Sequence, residues 1–99
     1  MKKAKPETEI IDTLTLEELC RFCQADKGWV IELVEEGVLE PRGTVVHKWR
    51  FEGISIARAK RARRLSRDLG LNAPGVAMVL QLLDERAEIR RRLARYEAP

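Results

Sequence analysis

Few residues in this chain have the type and spacing to do chemistry, and each sits in a context that narrows its use. Cys20 and Cys23 have the C-x-x-C spacing of half a zinc site or of a redox dithiol. A tetrahedral zinc site needs two further ligands, yet His47 is the single histidine and no third cysteine exists. A redox pair belongs at the start of a helix after a strand, whereas these two fall on the apolar side of a helical stretch. Two buried, inert thiols are therefore expected, with His47 a surface residue. One imidazole cannot serve a Ser/His/Asp set without partners, no glycine-rich phosphate loop occurs, and no carboxylate pair has a recognisable pocket. The expectation is a non-enzyme that takes no cofactor and no metal.

The charges say more. Glu32, Glu35 and Glu36 are spaced three and four apart, so on a helix they share one exposed neighbourhood. The formal net charge is +3, but residues 7–40 hold ten acids and two bases, a net of −8. Residues 41–99 hold fourteen bases and six acids, a net of +8, and Lys2, Lys3 and Lys5 restore the total. Either the halves attract each other across the fold or a dimer, or they face external partners. Six bases, Arg58, Lys60, Arg61, Arg63, Arg64 and Arg67, crowd one segment and raise the question of nucleic acid.

These groups need elements to hold them. Ninety-nine residues make one domain, and a hydrophobic fraction of 44% is ordinary for a globular chain. Thr15 and Glu18 form a capping box, after which Leu16, Leu19, Cys20 and Cys23 mark a buried helical face. Gln24–Asp26 reads as a turn, with Asp26 capping a second helix that turns Trp29, Val30, Leu33 and Val34 inward and stops at Gly37. Two short helices joined this tightly are a helix-turn-helix. Next, Val38–Leu39 and Val45–Phe51 read as two extended pieces around Pro41–Gly43, a small hairpin or wing with Trp49 and Phe51 on one face. A basic third helix is expected over 54–69, with Ile54, Ala62, Leu65 and Leu69 as its apolar stripe and Gly70 as its stop. Asn72 and Pro74 open a last helix reaching about Tyr96. From Val76 to Leu83 it is apolar nearly all round, which predicts burial. Val79, Leu82, Arg86, Ile89, Leu93 and Tyr96 then alternate by three and four, a heptad spacing broken at Arg86.

This order of elements, with Glu36-Gly37-Val38-Leu39-Glu40-Pro41 after the second helix and Trp49-Arg50-Phe51 in the wing, resembles the MerR-type winged helix. It is more closely similar to the chaperone-modulator branch of that superfamily, the CbpM family. The likeness covers about residues 14–85 and includes Leu16-Glu17-Glu18-Leu19-Cys20, Trp29 to Gly37, Ala57-Arg58-Ala59 and Arg64-Leu65. Its most specific piece is Asp68-Leu69-Gly70-Leu71-Asn72-Ala73-Pro74-Gly75-Val76-Ala77. The resemblance implies a protein that binds the J-domain of a DnaJ-like (CbpA-type) co-chaperone and inhibits its stimulation of Hsp70. The alternative is a MerR-like DNA-binding transcriptional regulator.

The second helix separates the two. In a DNA-binding winged helix it enters a groove walled by phosphates, where lysine and arginine bind through counterion release. Here Lys27 is its one base against three glutamates, and glutamate reads only a cytosine amino group. The acidic face suits a basic protein surface such as the basic helix that, on the resemblance, a J-domain offers to Hsp70. The expected fold is mainly α: a MerR-like winged helix-turn-helix core at 13–72, a flexible tail at 1–12, and a long C-terminal helix at 73–97. Trp29, Glu32, Glu35, Glu36, Glu40 and Arg50 form the expected partner-binding set, although Trp29, Leu33, Trp49 and Phe51 could equally be plain core. Val79, Leu82, Ile89, Leu93 and Tyr96 form the expected homodimer seam. No apolar run reaches the ~18 residues of a membrane span, and no secretory signal opens the chain, so a cytoplasmic protein is expected.

Overall fold

Thr15 fixes the place where the chain passes from strand to helix. Its Oγ1 accepts a hydrogen bond from the Glu18 N–H at 3.1 Å, and the Glu18 carboxylate accepts one from the Thr15 N–H at 2.9 Å. This capping box satisfies two first-turn donors at once. The computed structural model describes residues 13–97. The expected tail at 1–12, with Glu7, Glu9 and Asp12, lies outside them.

Strand β1 (Leu14–Thr15) leads into α1 (Leu16–Cys23), which buries Leu16, Leu19 and Cys23 and closes at Gln24 in the left-handed conformation, φ 55°. Asp26 caps α2 (Lys27–Glu35) by backbone position only, since its side chain makes no capping bond. A Schellman turn ends α2: Gly37 N–H donates to the Val34 carbonyl at 3.0 Å and Val38 N–H to the Leu33 carbonyl at 2.8 Å. Gly37 sits at φ 79°, where a side chain would be strained. The expected helix-turn-helix is therefore present, stop signal included.

The wing departs from expectation in its pairing. β2 (Arg50–Phe51) runs antiparallel to β1, with Leu14 opposite Phe51 and Thr15 opposite Arg50. Within the 38–51 segment itself the expected hairpin shrinks to one bridge, Arg42 to Arg50. The reason is local. Gly43 at φ 98° and a 3₁₀ turn over Val46–Lys48 curl the chain, and a Cβ on Gly43 would come within 3.2 Å of the Lys48 carbonyl oxygen. The edge left open on β2 is then taken by the segment preceding α1. Phe51 is fully buried there, and Trp49 packs edge-to-face on it at 6.0 Å between ring centroids. Leu33, Trp49 and Phe51 are thus core.

Helix α3 spans Gly53–Leu69 and stops at Gly70, φ 68°. Its buried stripe keeps Ala62 and Leu65 of the one expected and loses Ile54 and Leu69. Ser55, Ala59 and Ala62 face the core, with Ile56 and Leu65 half-buried, while Ile54 is 79% and Leu69 61% exposed. These small residues fill the face by which α3 packs on α1 and α4, while Ile54 and Leu69 stand at its two ends. Helix α4 spans Ala73–Glu97, capped by the Asn72 side-chain oxygen, which accepts from Gly75 N–H at 2.9 Å.

Ala73, Val76 and Leu80 seal the core from the α4 side. The expected all-round burial of 76–83 does not hold: Met78 is 66% and Leu82 58% exposed, with Val79 and Leu83 half-buried. Only one face of α4 meets the body. At about 1.5 Å per residue, a helix of 25 residues is about 37 Å long and outruns the core. The radius of gyration, 16.1 Å, exceeds the ~13 Å of a compact domain of this size accordingly.

Candidate protein-docking surface

Helix α2 sorts its residues by face. Val30 and Leu33 point into the core with Val34 beside them, and Glu32, Glu35 and Glu36 lie on the opposite, exposed side. Gly28 shares that side and adds no side chain to cover them. Glu40, just past the Schellman turn, is exposed as well, held near α2 by the buried pair Val38 and Leu39. Among the described residues none of these four carboxylates enters a salt bridge.

The ion pairs also follow the charge split. Lys27–Glu17 at 3.5 Å stays within the acidic half. Arg42–Glu52 at 2.8 Å, Arg58–Asp84 at 3.0 Å, Arg67–Asp68 at 4.0 Å and the Arg91 and Arg92 contacts of Glu88 stay within the basic half. Among the described residues no ion pair joins the halves. Internal neutralisation by contact does not explain the pattern, and both charged faces stand open to solvent.

Two of the expected partner-binding residues are placed differently from the glutamates. Trp29 is half-buried at the border of the acidic face, lining a cleft of about 230 Å³ with Asp26, Arg63 and Ser66. Arg50 is occupied internally: its Nε donates to Thr13 Oγ1 at 2.9 Å and its Nη2 to the Thr13 carbonyl at 3.3 Å. Its guanidinium ties the entry of the chain to β2 and shapes the surface from beneath. On α4, Leu82, Ile89, Leu93 and Tyr96 are exposed along one side with Val79 half-buried beside them. Met78, expected to be buried with the rest of 76–83, is exposed, and so is Phe22 on α1, which no expectation named. The signal existed for Phe22, which falls off the Leu16, Leu19, Cys23 face.

Other groups do less. Burial holds the Cys20 thiol above its ordinary range, with the nearby Glu17 charge adding to it, and burial does the same for Cys23. Both thiols are free, and thiols kept protonated are poor nucleophiles and ligands. His47 is exposed on the 3₁₀ turn. Among the described residues no group of histidine, cysteine and carboxylate side chains could hold a metal ion, and no helix is long and apolar enough to cross a membrane.

Comparison with known proteins fits this geometry. Residues 14–97 match the family model described as MerR HTH family regulatory protein. A chaperone modulatory protein CbpM of Coxiella burnetii is 36% identical over 84 residues, 85% of this chain and 79% of its own length. The protein of the same name from Pseudomonas entomophila is 37% identical over 81 residues, covering 82% and 80%. That of Pseudomonas putida strain W619 is 35% identical over the same coverage. With the helix-turn-helix, the short two-strand sheet and the long last helix in place, the chain belongs to the CbpM family of chaperone modulatory proteins, within the MerR-type helix-turn-helix proteins.

Proposed function

We propose that this chain is a chaperone modulator that acts by binding, not catalysis, and that it docks on the J-domain of a DnaJ-like, CbpA-type co-chaperone and inhibits its stimulation of Hsp70. The observation that carries the reading is the open acidic face of α2: Glu32, Glu35, Glu36 and Glu40 are exposed and, among the described residues, unpaired. A J-domain meets its Hsp70 through a basic helix, so an acidic face competes for the same charges. Complementary charge speeds encounter and selects the partner, while a partly buried aromatic at the rim, Trp29, supplies an anchor. The same carboxylates speak against a duplex reader, because they would face phosphates on both groove walls.

The experiment is charge reversal. Glu32→Lys, Glu35→Lys and Glu36→Lys together should weaken J-domain capture at least about tenfold and restore J-stimulated ATP hydrolysis by Hsp70. Circular dichroism should be unchanged, since all three side chains are exposed. Unchanged capture by a folded triple variant rejects the assignment. We further propose that two copies pair through the free stripe of α4, Val79, Leu82, Ile89, Leu93 and Tyr96, in an antiparallel arrangement.

A further inference from the structure

The basic half of the molecule has an organised face that the J-domain reading does not use. On α3, Lys60, Arg63, Arg64 and Arg67 fall at i, i+3, i+4 and i+7, which places all four on one side of the helix. That side faces a groove of about 360 Å³ whose other wall is the end of α1, with Phe22, Cys23 and Gln24. Arg63 is fixed in it, its Nε donating to the Gln24 carbonyl at 3.1 Å, one of the acceptors a helix end leaves over. Lys60 Nζ stands 4.9 Å over the ring of Phe22, which is itself 51% exposed. Among the described residues no carboxylate lines the groove, and the one in an ion pair with a groove residue is Asp68, 4.0 Å from Arg67 and outside it. Like charges three and four apart on a helix oppose its formation by a few tenths of a kcal/mol per pair, and of the four bases only Arg63 and Lys60 return a contact to α1, which leaves Arg64 and Arg67 without a partner there among the described residues.

We infer that the groove between the end of α1 and the basic face of α3 is a second docking site, which takes a short acidic segment of a protein other than this one. Arginine clusters hold carboxylates with paired, charge-assisted hydrogen bonds, and the exposed Phe22 ring gives an apolar side chain of such a segment a place to pack. A short occupant fits better than a nucleic acid. The four bases span eight residues of helix, about 10 Å from first to last, which is a few residues of extended peptide. The adjoining cleft brings Asp26 of the neighbouring acidic half alongside, so a long polyanion would run from the basic groove toward carboxylates. The site is independent of the α2 face, and its failure would leave the J-domain reading intact.

The probe is a fluorescein-labelled peptide of repeated Asp-Glu-Leu-Phe units, titrated with the full chain at ~50 mM salt, where charge pairing is little screened. Binding is expected, and Lys60→Glu with Arg64→Glu should weaken it at least about tenfold with the helical circular dichroism unchanged. Arg90→Glu with Arg95→Glu, on the far part of α4, alters net charge equally and should leave binding within about twofold. Absence of peptide binding, equal loss in both double variants, or tighter binding of a labelled oligothymidylate than of the peptide would each overturn the proposal. So would a fall in the oligomeric mass on Lys60→Glu with Arg64→Glu, which would make the occupant a second copy of this chain.

Discussion

At the scale of single residues, the most consequential groups are those whose partners are known atom by atom. Thr15 and Glu18 close the capping box, and the backbone hydrogen bond from Thr15 is the main cause holding the Glu18 carboxyl below the ordinary carboxylate range, with Arg50 and Arg21 adding to it. A carboxylate depressed in the folded state stabilises above its unfolded pKa, and that contribution is lost as pH falls through the folded value. Thr15→Ala keeps the backbone N–H but removes the hydroxyl cap of α1, which should cost about 1 kcal/mol in denaturant unfolding near neutrality. The penalty should shrink a little once acid protonates Glu18, because the hydroxyl's own smaller share in holding the carboxylate is then already gone. A penalty independent of pH would mean that the hydroxyl stabilises α1 without its carboxylate partner. Arg50 belongs to the same corner. Its two bonds to Thr13 hold the entry of β1 beside β2, so the arginine has a positioning role within the fold.

At the scale of elements, what could be read from sequence was whatever local chemistry decides alone. The box at Thr15, the stop at Gly37 and the stop at Gly70 are enforced by hydrogen bonds or by φ within a few residues, and all three stand where the sequence put them. The acidic face of α2 was legible for a similar reason, since helical spacing fixes which residues share a side. Two features depend on distant chain and were not legible. β2 pairs with a strand from before α1, a choice set by where Phe51 finds its core and not by the turn at Pro41–Gly43. The stripe of α3 keeps Ala62 and Leu65 as expected but adds Ser55 and Ala59, which hydrophobic periodicity undervalues because they are small and add little apolar area. The consequence can be measured. Ala59→Leu adds volume at a position with no exposure and should destabilise by about 1–3 kcal/mol through overpacking. Ile54→Ala, at the position that periodicity favoured, should stay within about 0.5 kcal/mol of the parent in urea unfolding. The reverse order would restore the stripe expected from sequence.

At the scale of the whole molecule, α4 leaves an apolar row in water that the proposed pairing of two copies would cover. Its inner face is sealed by Ala73, Val76 and Leu80, and Arg58 pins its middle to the body through Asp84 at 3.0 Å while also holding the Val38 carbonyl at 2.9 Å. Beyond that pin the helix stands clear, and from Glu85 to Glu97 every residue is exposed except half-buried Glu88. Charges along its outer surface keep the helix solvated, with Glu88 serving both Arg91 and Arg92. The row Met78, Leu82, Ile89, Leu93 and Tyr96 remains in water on the side away from the core. Apolar rows with three–four spacing bury themselves against a like row, and a symmetric pairing of two such helices closes without leaving a sticky end. Sedimentation at micromolar concentration should give about twice the chain mass of 11.4 kDa. Leu82→Glu with Ile89→Glu should return it to the single-chain value while α1 to α3 stay folded, because neither residue contributes to the core. A single-chain mass for the parent protein removes the pairing. In the dimer-breaking variant the α2 carboxylates are untouched, so J-domain capture per chain should persist. Its loss would place the α4 pairing inside the docking surface rather than beside it.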